Sequence, residues 1–331
     1  MAYEQNVLSD VGGEGSSLDL LIDQFGGMVE KQFKKASIMR QYANVRPVRN
    51  TDTIVNNRVG RTTLQALHPG LRPASTNTPF GKVSLTVDTV VLARDARSML
   101  NEFQTHFNVR QELAEDQGKE VGAFFDQAFI IQTIKGAGMA APVIGDGTAP
   151  ASTQTIGAGK SVTLVAAGDE SDPDKLYNAI VGIITAMEEE EIPVEDLVVF
   201  VRPTTFQVLL NNDKLMSRDF AAGNGDYAKG IIYEIGGARI VKTARIPTAA
   251  ITAHPLSNAS NSNAYNVSAT EAKSVAVIMH PKSLLAGETI PITSDVWFSR
   301  EEKTWFIDTF IAFGVTVNRP DTCGRVIKTT A

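Results

Sequence analysis

Cysteine is nearly missing from this sequence: Cys323 is the single one among 331 residues. One thiol forbids an intrachain disulfide, no Cys-x-x-Cys pair exists for zinc, and the chain fits a reducing compartment. Long apolar runs are missing too. No segment approaches the ~18 consecutive apolar residues of a membrane span, and Met1 to Asp10 has neither the basic start nor the apolar run of a signal peptide. The expectation is a chain neither exported nor embedded, so the glycosylation sequons at Asn258 and Asn266 carry no meaning. Positive charge is not in excess either. With 31 Lys and Arg against 37 Asp and Glu, the net charge is -6, which argues against a protein whose main task is gripping nucleic acid, because that affinity comes from clustered cations neutralising phosphates.

A recognisable active site is also lacking. Gly157-Ala158-Gly159-Lys160-Ser161 ends like a phosphate-binding loop, but the full pattern needs a glycine where Gln154 stands, and a helix where Val162 to Val165 is beta-prone. Two Gly-x-Gly-x-x-Ala matches, at 136–141 and 223–228, lack the strand-glycines-helix order of a dinucleotide site. His68, His106, His254 and His280 show no ligand spacing and no nucleophile beside them. The acidic run Glu188 to Glu191 closes a helix and reads as a solvated face. These absences lead to an expectation of no enzyme, no cofactor and no metal.

What the chain does have is reach. Thr53 to Val59 and Val83 to Asp88 carry the beta-branched content and alternation of a half-buried ladder. Between them, Gly60 to Lys82 is a polar tongue with too few apolar residues to bury a core of its own, so it is either mobile or held by something outside the subunit. An apolar stripe through Val109, Leu113, Val121, Phe124, Phe125, Ala128, Ile131 and Ile134 then predicts a helix over Val109 to Lys135. That length is more than twice the ~11–12 residues of a mean helix, although Gly118 and Gly122 weaken its middle. An ordinary long core helix would explain this segment equally well. Upstream, Leu18 to Ile38 reads as an amphipathic helix broken or kinked at Gly26-Gly27. Lys31, Lys34, Lys35, Arg40, Arg46 and Arg49 make this region basic.

Beyond a Gly/Ala/Pro/Thr linker over 136–159, Asp172 before Pro173 signals a capped helix with Leu176, Ile180, Ile183, Ile184 and Met187 on its buried face. A buried strand at Leu197 to Val201, a helix from Thr204 to about Asn211, a beta-rich segment from Ile231 to Ile246 and a buried strand at Ser274 to Met279 make an alpha/beta region. Beta-prone runs then follow at Ile290 to Phe298, Thr304 to Val317 and Gly324 to Ile327.

This order of arm, tongue, long helix, alpha/beta region and returning strands resembles the major capsid proteins of tailed phages, the HK97-like fold. At residue level it is most similar to the short-tailed phages of the T-seven type, the autographivirus group. The similar places are Phe25-Gly26-Gly27, Val199 to Phe206, Gly237 to Pro247, Val275 to His280 with Ser283, and Arg319-Pro320-Asp321 to Lys328. The resemblance covers the whole chain in order of elements, through short motifs.

The resemblance implies an α+β chain with an N-terminal arm (1–48), an extended loop (59–82) and a peripheral domain (49–58, 83–171 and 289–331) built on a spine helix at about 109–135. An axial domain (172–288) completes it. It implies a shell protein that assembles with itself as hexamers and pentamers, with scaffolding protein, a portal at one vertex and weakly held double-stranded DNA, in the virion head after assembly in the host cytoplasm. A non-viral nanocompartment with the same fold is the alternative. Arg58, Arg61, Arg72 and Lys82 make the tongue basic, and Glu112, Glu115, Asp116 and Glu120 make the spine helix acidic. Such complementary charge would set register between neighbours. Lys31, Lys34, Lys35 and Arg40 would then face the interior. Some members of the wider fold cross-link a tongue lysine to a neighbour's asparagine with a nearby carboxylate; Lys82 and Asn318 are the pair to consider here, though the T-seven-type relatives are not expected to cross-link.

Overall fold

The computed structural model describes residues 17–60, 62, 64–66, 68–70, 72, 78–100, 109–145, 156–216, 225–226 and 230–329. Arg61, His106, Gln154, Gly223 and the first 16 residues of the expected arm lie outside that set.

Helix α1 (Ser17–Ala36) is followed by one turn, α2 (Met39–Tyr42). The expected break at Gly26-Gly27 is corrected here: α1 runs through both glycines. A Cβ on Gly26 would sit 3.0 Å from the Ser294 hydroxyl, so this glycine permits a close approach and does not end the helix. The long helix α3 spans Val109–Ala137, two residues beyond the expected end.

Four strands form one sheet in the order β1 (Val45–Pro47), β12 (Leu284–Ser299), β13 (Thr304–Val317), β4 (Val91–Ser98). Six more form a mixed sheet: β5 (Lys160–Thr163), β14 (Cys323–Ile327), β11 (Ser274–Met279), β6 (Val198–Val201), β10 (Ala238–Lys242) and β9 (Glu234–Ile235). Gly236 and Gly237 turn between β9 and β10 at φ of 56° and 83°, the left-handed region where a side chain is disfavoured. Two hairpins, β2 (Thr53–Val59) with β3 (Phe80–Thr86) and β7 (Gly225–Asp226) with β8 (Ile231–Ile232), stand as separate pairs.

The chain divides into two compact units. One takes Met1–Arg40, Asp88–Asp126 and Glu288–Phe313; the other takes Gln41–Val87, Gln127–Gly287 and Gly314–Ala331. Helix α3 changes unit after Asp126.

Within the first unit, α3 carries α1 at very short range. A Cβ on Gly118 would lie 2.7 Å from the Val29 carbonyl oxygen, and one on Gly122 would lie 3.0 Å from the Ala36 Cβ. The two glycines cost helix propensity but allow a backbone approach that any side chain would prevent. Phe25, Val29, Ala114, Val296 and Ile307 form the core there. One turn further along, the buried Asp126 carboxylate accepts from the Ser37 hydroxyl at 2.8 Å, the Ile38 amide at 2.8 Å and the Met39 amide at 3.0 Å. It thereby supplies the start of α2 with acceptors that the helix itself lacks.

In the second unit α3 is buried on nearly every side. Phe129, Ile130, Ile131, Gln132, Thr133 and Ile134 are all buried, so the amphipathic stripe expected along the whole helix holds for its first half only. The polar members find partners: Gln132 donates to the Ala264 carbonyl at 3.1 Å, and Thr133 donates to the Phe129 carbonyl at 2.9 Å. Arg325 donates to the Ile134 carbonyl at 3.2 Å near the helix end. The six-stranded sheet packs against α4 (Pro173–Glu188), capped as expected by Asp172, which accepts from the Asp174 and Lys175 amides. All five residues read as the buried face of α4 are buried.

Two predictions follow from these contacts. Asp126→Ala leaves two backbone donors and a hydroxyl without their acceptor in a buried place, so it should destabilise by about 3 kcal/mol, read by denaturant unfolding. Glu271 is pushed up by burial, but the Ser268 amide at 2.7 Å and the Lys135 ammonium at 3.2 Å together hold it below its ordinary 4.5. A depressed carboxylate stabilises the fold above its unfolded value and loses that contribution as pH falls through the folded value. Glu271→Gln should therefore lower Tm at neutral pH, and the difference from wild type should shrink as pH falls below the ordinary carboxylate range.

Candidate intersubunit surfaces

Strands β2 and β3 pair antiparallel from Thr53 with Thr86 to Val59 with Phe80. The Gly60 amide donates to the Pro79 carbonyl at 2.8 Å, and the Val87 amide to the Asp52 carbonyl at 2.9 Å, so the ladder extends past both ends. Strand alternation gives the hairpin two unlike faces. One faces its own unit: Ile54 lies against Gly287, Leu85 against Gly314, and the Asn56 amide donates to the Asn318 side chain at 2.8 Å. Arg58 lies on this face and donates to the Asn318 carbonyl. Burial pulls its guanidinium below the usual value, against the attraction of Asp321, and its Nε is buried with no hydrogen-bond partner among the described residues.

The other face is open. Val55, Val59 and Phe80 are 48%, 52% and 68% exposed, and Leu64 at the tip is 92% exposed. Lys82 and Arg72 are exposed as well. Within one chain, Lys82 and Asn318 thus lie on opposite faces of the hairpin. The apolar side of this surface escaped the sequence reading, which attended to charge. Its signal was present in β2, where Ile54, Val55 and Val59 put apolar residues on both faces instead of one.

Glu112, Glu115, Asp116 and Glu120 are all exposed along the first half of α3. Between them Gln117 turns inward and accepts from the Thr309 hydroxyl at 2.6 Å, which sets that side of the helix and leaves the acidic residues on the solvent side. Lys31, Lys34 and Lys35 are exposed on α1, with Lys34 paired to Glu30 at 2.5 Å. Arg40 differs from them. It pairs with Glu288 and lies over the rings of Phe33 and Phe125 at 5.0 and 5.4 Å, so its charge is already engaged within the first unit.

The places where chemistry was sought have structural occupants. Lys160 pairs with Glu190, and a Cβ on Gly157 would lie 2.6 Å from the Glu190 carboxylate, so the loop that ends like a phosphate site has a carboxylate against it. His254 stacks on Tyr265 at 5.4 Å, and its burial pulls it down to about 4. His280 accepts at Nδ1 from the Lys282 amide at 3.0 Å. Among the described residues, no group of three or more His, Cys, Asp or Glu side chains is placed to hold a metal.

The hairpin has an open apolar face and the long helix an acidic face, each left in solvent within its own unit, and comparison with known proteins gives the context for such surfaces. The model of the family described as Gp10A-like major capsid protein matches residues 85–284. The chain belongs to that family. It is a structural protein that forms the head shell of a phage particle. The structure superposes on the mature capsid of bacteriophage PhiM1 with a TM-score of 0.76 and 26% identity, covering 89% of this chain and 88% of that one. The capsid of the cyanophage P-SCSP1u gives a TM-score of 0.77 at 17% identity over 89% of each chain. The virus-like particle of Pyrococcus furiosus shares the fold at a TM-score of 0.54 and 10% identity, over 92% of this chain and 99% of that one. A search of curated protein sequences found no match.

Two outcomes are expected of this capsid protein. Replacing Val59 and Phe80 by Thr and Ser should leave the isolated subunit within about 0.5 kcal/mol of wild type, as for surface positions, while lowering the yield of assembled shells. Unfolding and sedimentation of the same preparation would read both. Cys323 is fully buried and pushed up to about 12 by that burial. It should resist a thiol reagent in the native protein and react on unfolding, and Cys323→Ser should leave assembly intact under reducing and oxidising conditions alike.

Proposed function

We propose that this capsid protein builds the head of a short-tailed phage of the T-seven type, tiling the shell as hexamers and pentamers around double-stranded DNA. The observation that carries this reading is the hairpin, which leaves an apolar face and basic side chains in solvent. A closed shell needs more contact area than a compact globule offers, and obligate interfaces commonly exceed about 2,000 Å².

In this reading residues 59–82 are the extended loop and 172–288 the axial domain. Residues 49–58, 83–171 and 289–331 form the peripheral domain, with the arm over 1–48. Arg61, Arg72 and Lys82 of one copy meet Glu112, Glu115, Asp116 and Glu120 of the next. Arg58 anchors the hairpin to its own chain and so contributes less to the neighbour. Lys31, Lys34 and Lys35 face the interior, where they offset part of the repulsion between DNA and an acidic subunit. Scaffolding protein sets curvature during assembly in the host cytoplasm, and a portal occupies one vertex.

Reversing Arg61, Arg72 and Lys82 to Glu tests the charge pairing. Each exposed ion pair contributes only about 0–1 kcal/mol, but the loss repeats at every subunit. The triple variant should keep the thermal unfolding of the wild-type subunit and fail to close shells when scaffold is supplied. Normal shells from a strongly destabilised subunit would show that the tongue belongs to the subunit's own core instead.

A further inference from the structure

Strand β4 ends its four-stranded sheet, and among the described residues no strand pairs with its outer edge. Its inner edge pairs antiparallel with β13, from Val91 opposite Ile311 to Ser98 opposite Thr304. One step further, the Met99 amide donates to the Lys303 carbonyl at 3.0 Å. Hydrogen-bonded and non-hydrogen-bonded pairs alternate along an antiparallel ladder, so that bond fixes the phase of the strand. Asp95 and Arg97 aim their backbone groups at β13, while Leu92, Arg94 and Ala96 aim theirs away from it. Such an edge is a template for another strand.

Edge strands are usually blunted by charge, and β4 carries three charged residues. Arg94 does not obstruct the edge, because Asp308 holds it at 2.8 and 2.6 Å and it lies over Trp297. Asp95 and Arg97 are two residues apart and so share one face of the strand, 3.0 Å from each other and partly exposed. Opposite signs at that spacing select a partner. When a strand pairs antiparallel with its own copy, residues opposite each other point to the same face, so the two-fold axis passes beside one residue and its equivalent. An axis at Arg94 or Arg97 sets arginine against arginine, and one at Asp95 sets carboxylate against carboxylate. An axis at Ala96 sets Asp95 against Arg97 of the second copy, and Arg97 against Asp95, in the non-hydrogen-bonded pairs where side chains come closest. The same register puts the outward N–H and C=O of Ala96 opposite their own equivalents, as a hydrogen-bonded pair. Backbone phase and charge therefore agree, and no other register gives both Asp95 and Arg97 a partner of opposite sign.

We propose that β4 pairs antiparallel with β4 of a second copy across a two-fold axis at Ala96, joining two sheets into one, with Asp95–Arg97 ion pairs crossing on either side of the axis. The proposal rests on the reading of this chain as a shell protein. It adds a contact between copies that neither the hairpin nor α3 supplies.

The test is Ala96→Cys in the full chain, assembled and treated with the thiol oxidant diamide. A hydrogen-bonded pair has its Cα atoms about 5.5 Å apart, within the ~4.4–6.8 Å that a disulfide spans, so most subunits should run as disulfide dimers without reductant. Ala93→Cys on the same strand would lie about 20 Å from its equivalent and should stay monomeric, and the fully buried Cys323 adds no band. Combining Ala96→Cys with Asp95→Arg sets arginine against arginine, and combining it with Arg97→Asp sets aspartate against aspartate, so each variant alone should lose most of the dimer. Mixing the two in equal amounts restores opposite charges between copies and should recover it as the mixed species. A contact made only within one chain is not rescued by mixing. Shells in normal yield without an Ala96→Cys disulfide, an equal yield of dimer from Ala93→Cys, or a mixture no better than its separate components would overturn the strand pairing and leave the shell role standing. Failure of the wild-type chain to assemble at all would remove both.

Discussion

Helix α3 is the member against which each unit places its other segments, and its burial is the constraint from which most of the fold follows. In the first unit two glycines let α1 come within backbone contact of it, and Asp126 fastens the chain as it leaves α1. In the second unit the same helix is surrounded by residues far apart in sequence, with Val267 and Ala272 on Ile131 and Val317 and Cys323 beside Gly136. A helix buried this completely cannot be amphipathic along its whole length. The polar residues it retains, Gln132 and Thr133, are tolerated because each is hydrogen-bonded.

The hairpin follows the opposite rule. Its inner face is tied to the chain's own Gly287, Gly314 and Asn318, while its outer face keeps large apolar side chains in water. A monomer gains nothing from that arrangement. In a subunit that assembles with copies of itself, a neighbour covering such a face would remove it from water and couple assembly to burial. Anchoring by Arg58 and Asn56 makes the outer face a presented surface and limits the ordering cost on association.

The charged residues divide in a similar way. Arg94 meets the buried Asp308 carboxylate with two nitrogens, at 2.8 and 2.6 Å, and lies over Trp297 at 5.1 Å, so it is part of the sheet of the first unit. Arg40 is likewise held between Glu288 and two rings. Lys31, Lys35, Lys82 and the acidic residues of α3 stay in solvent, where single pairs contribute little to folding and are available for recognition.

Much of this was legible in the sequence because it is local. The capped start of α4, the five buried residues of its inner face, the length of α3, the β2–β3 pairing and the strands from Ser274 onward all follow from periodicity and turn chemistry, which act within a few residues. The order of those elements was enough to indicate the capsid fold. Only the tertiary structure decided what depends on contacts across long separations. Gly26, Gly118 and Gly122 read as weak points until α1 and its neighbours approach them, because a glycine's propensity cost is visible in sequence and its packing role is not. Asp126 was one acidic residue among many until the chain at 37–39 came to it from almost ninety positions away. Arg40 and Arg58 looked as free as the lysines, and Glu288 and Asn318 engaged them.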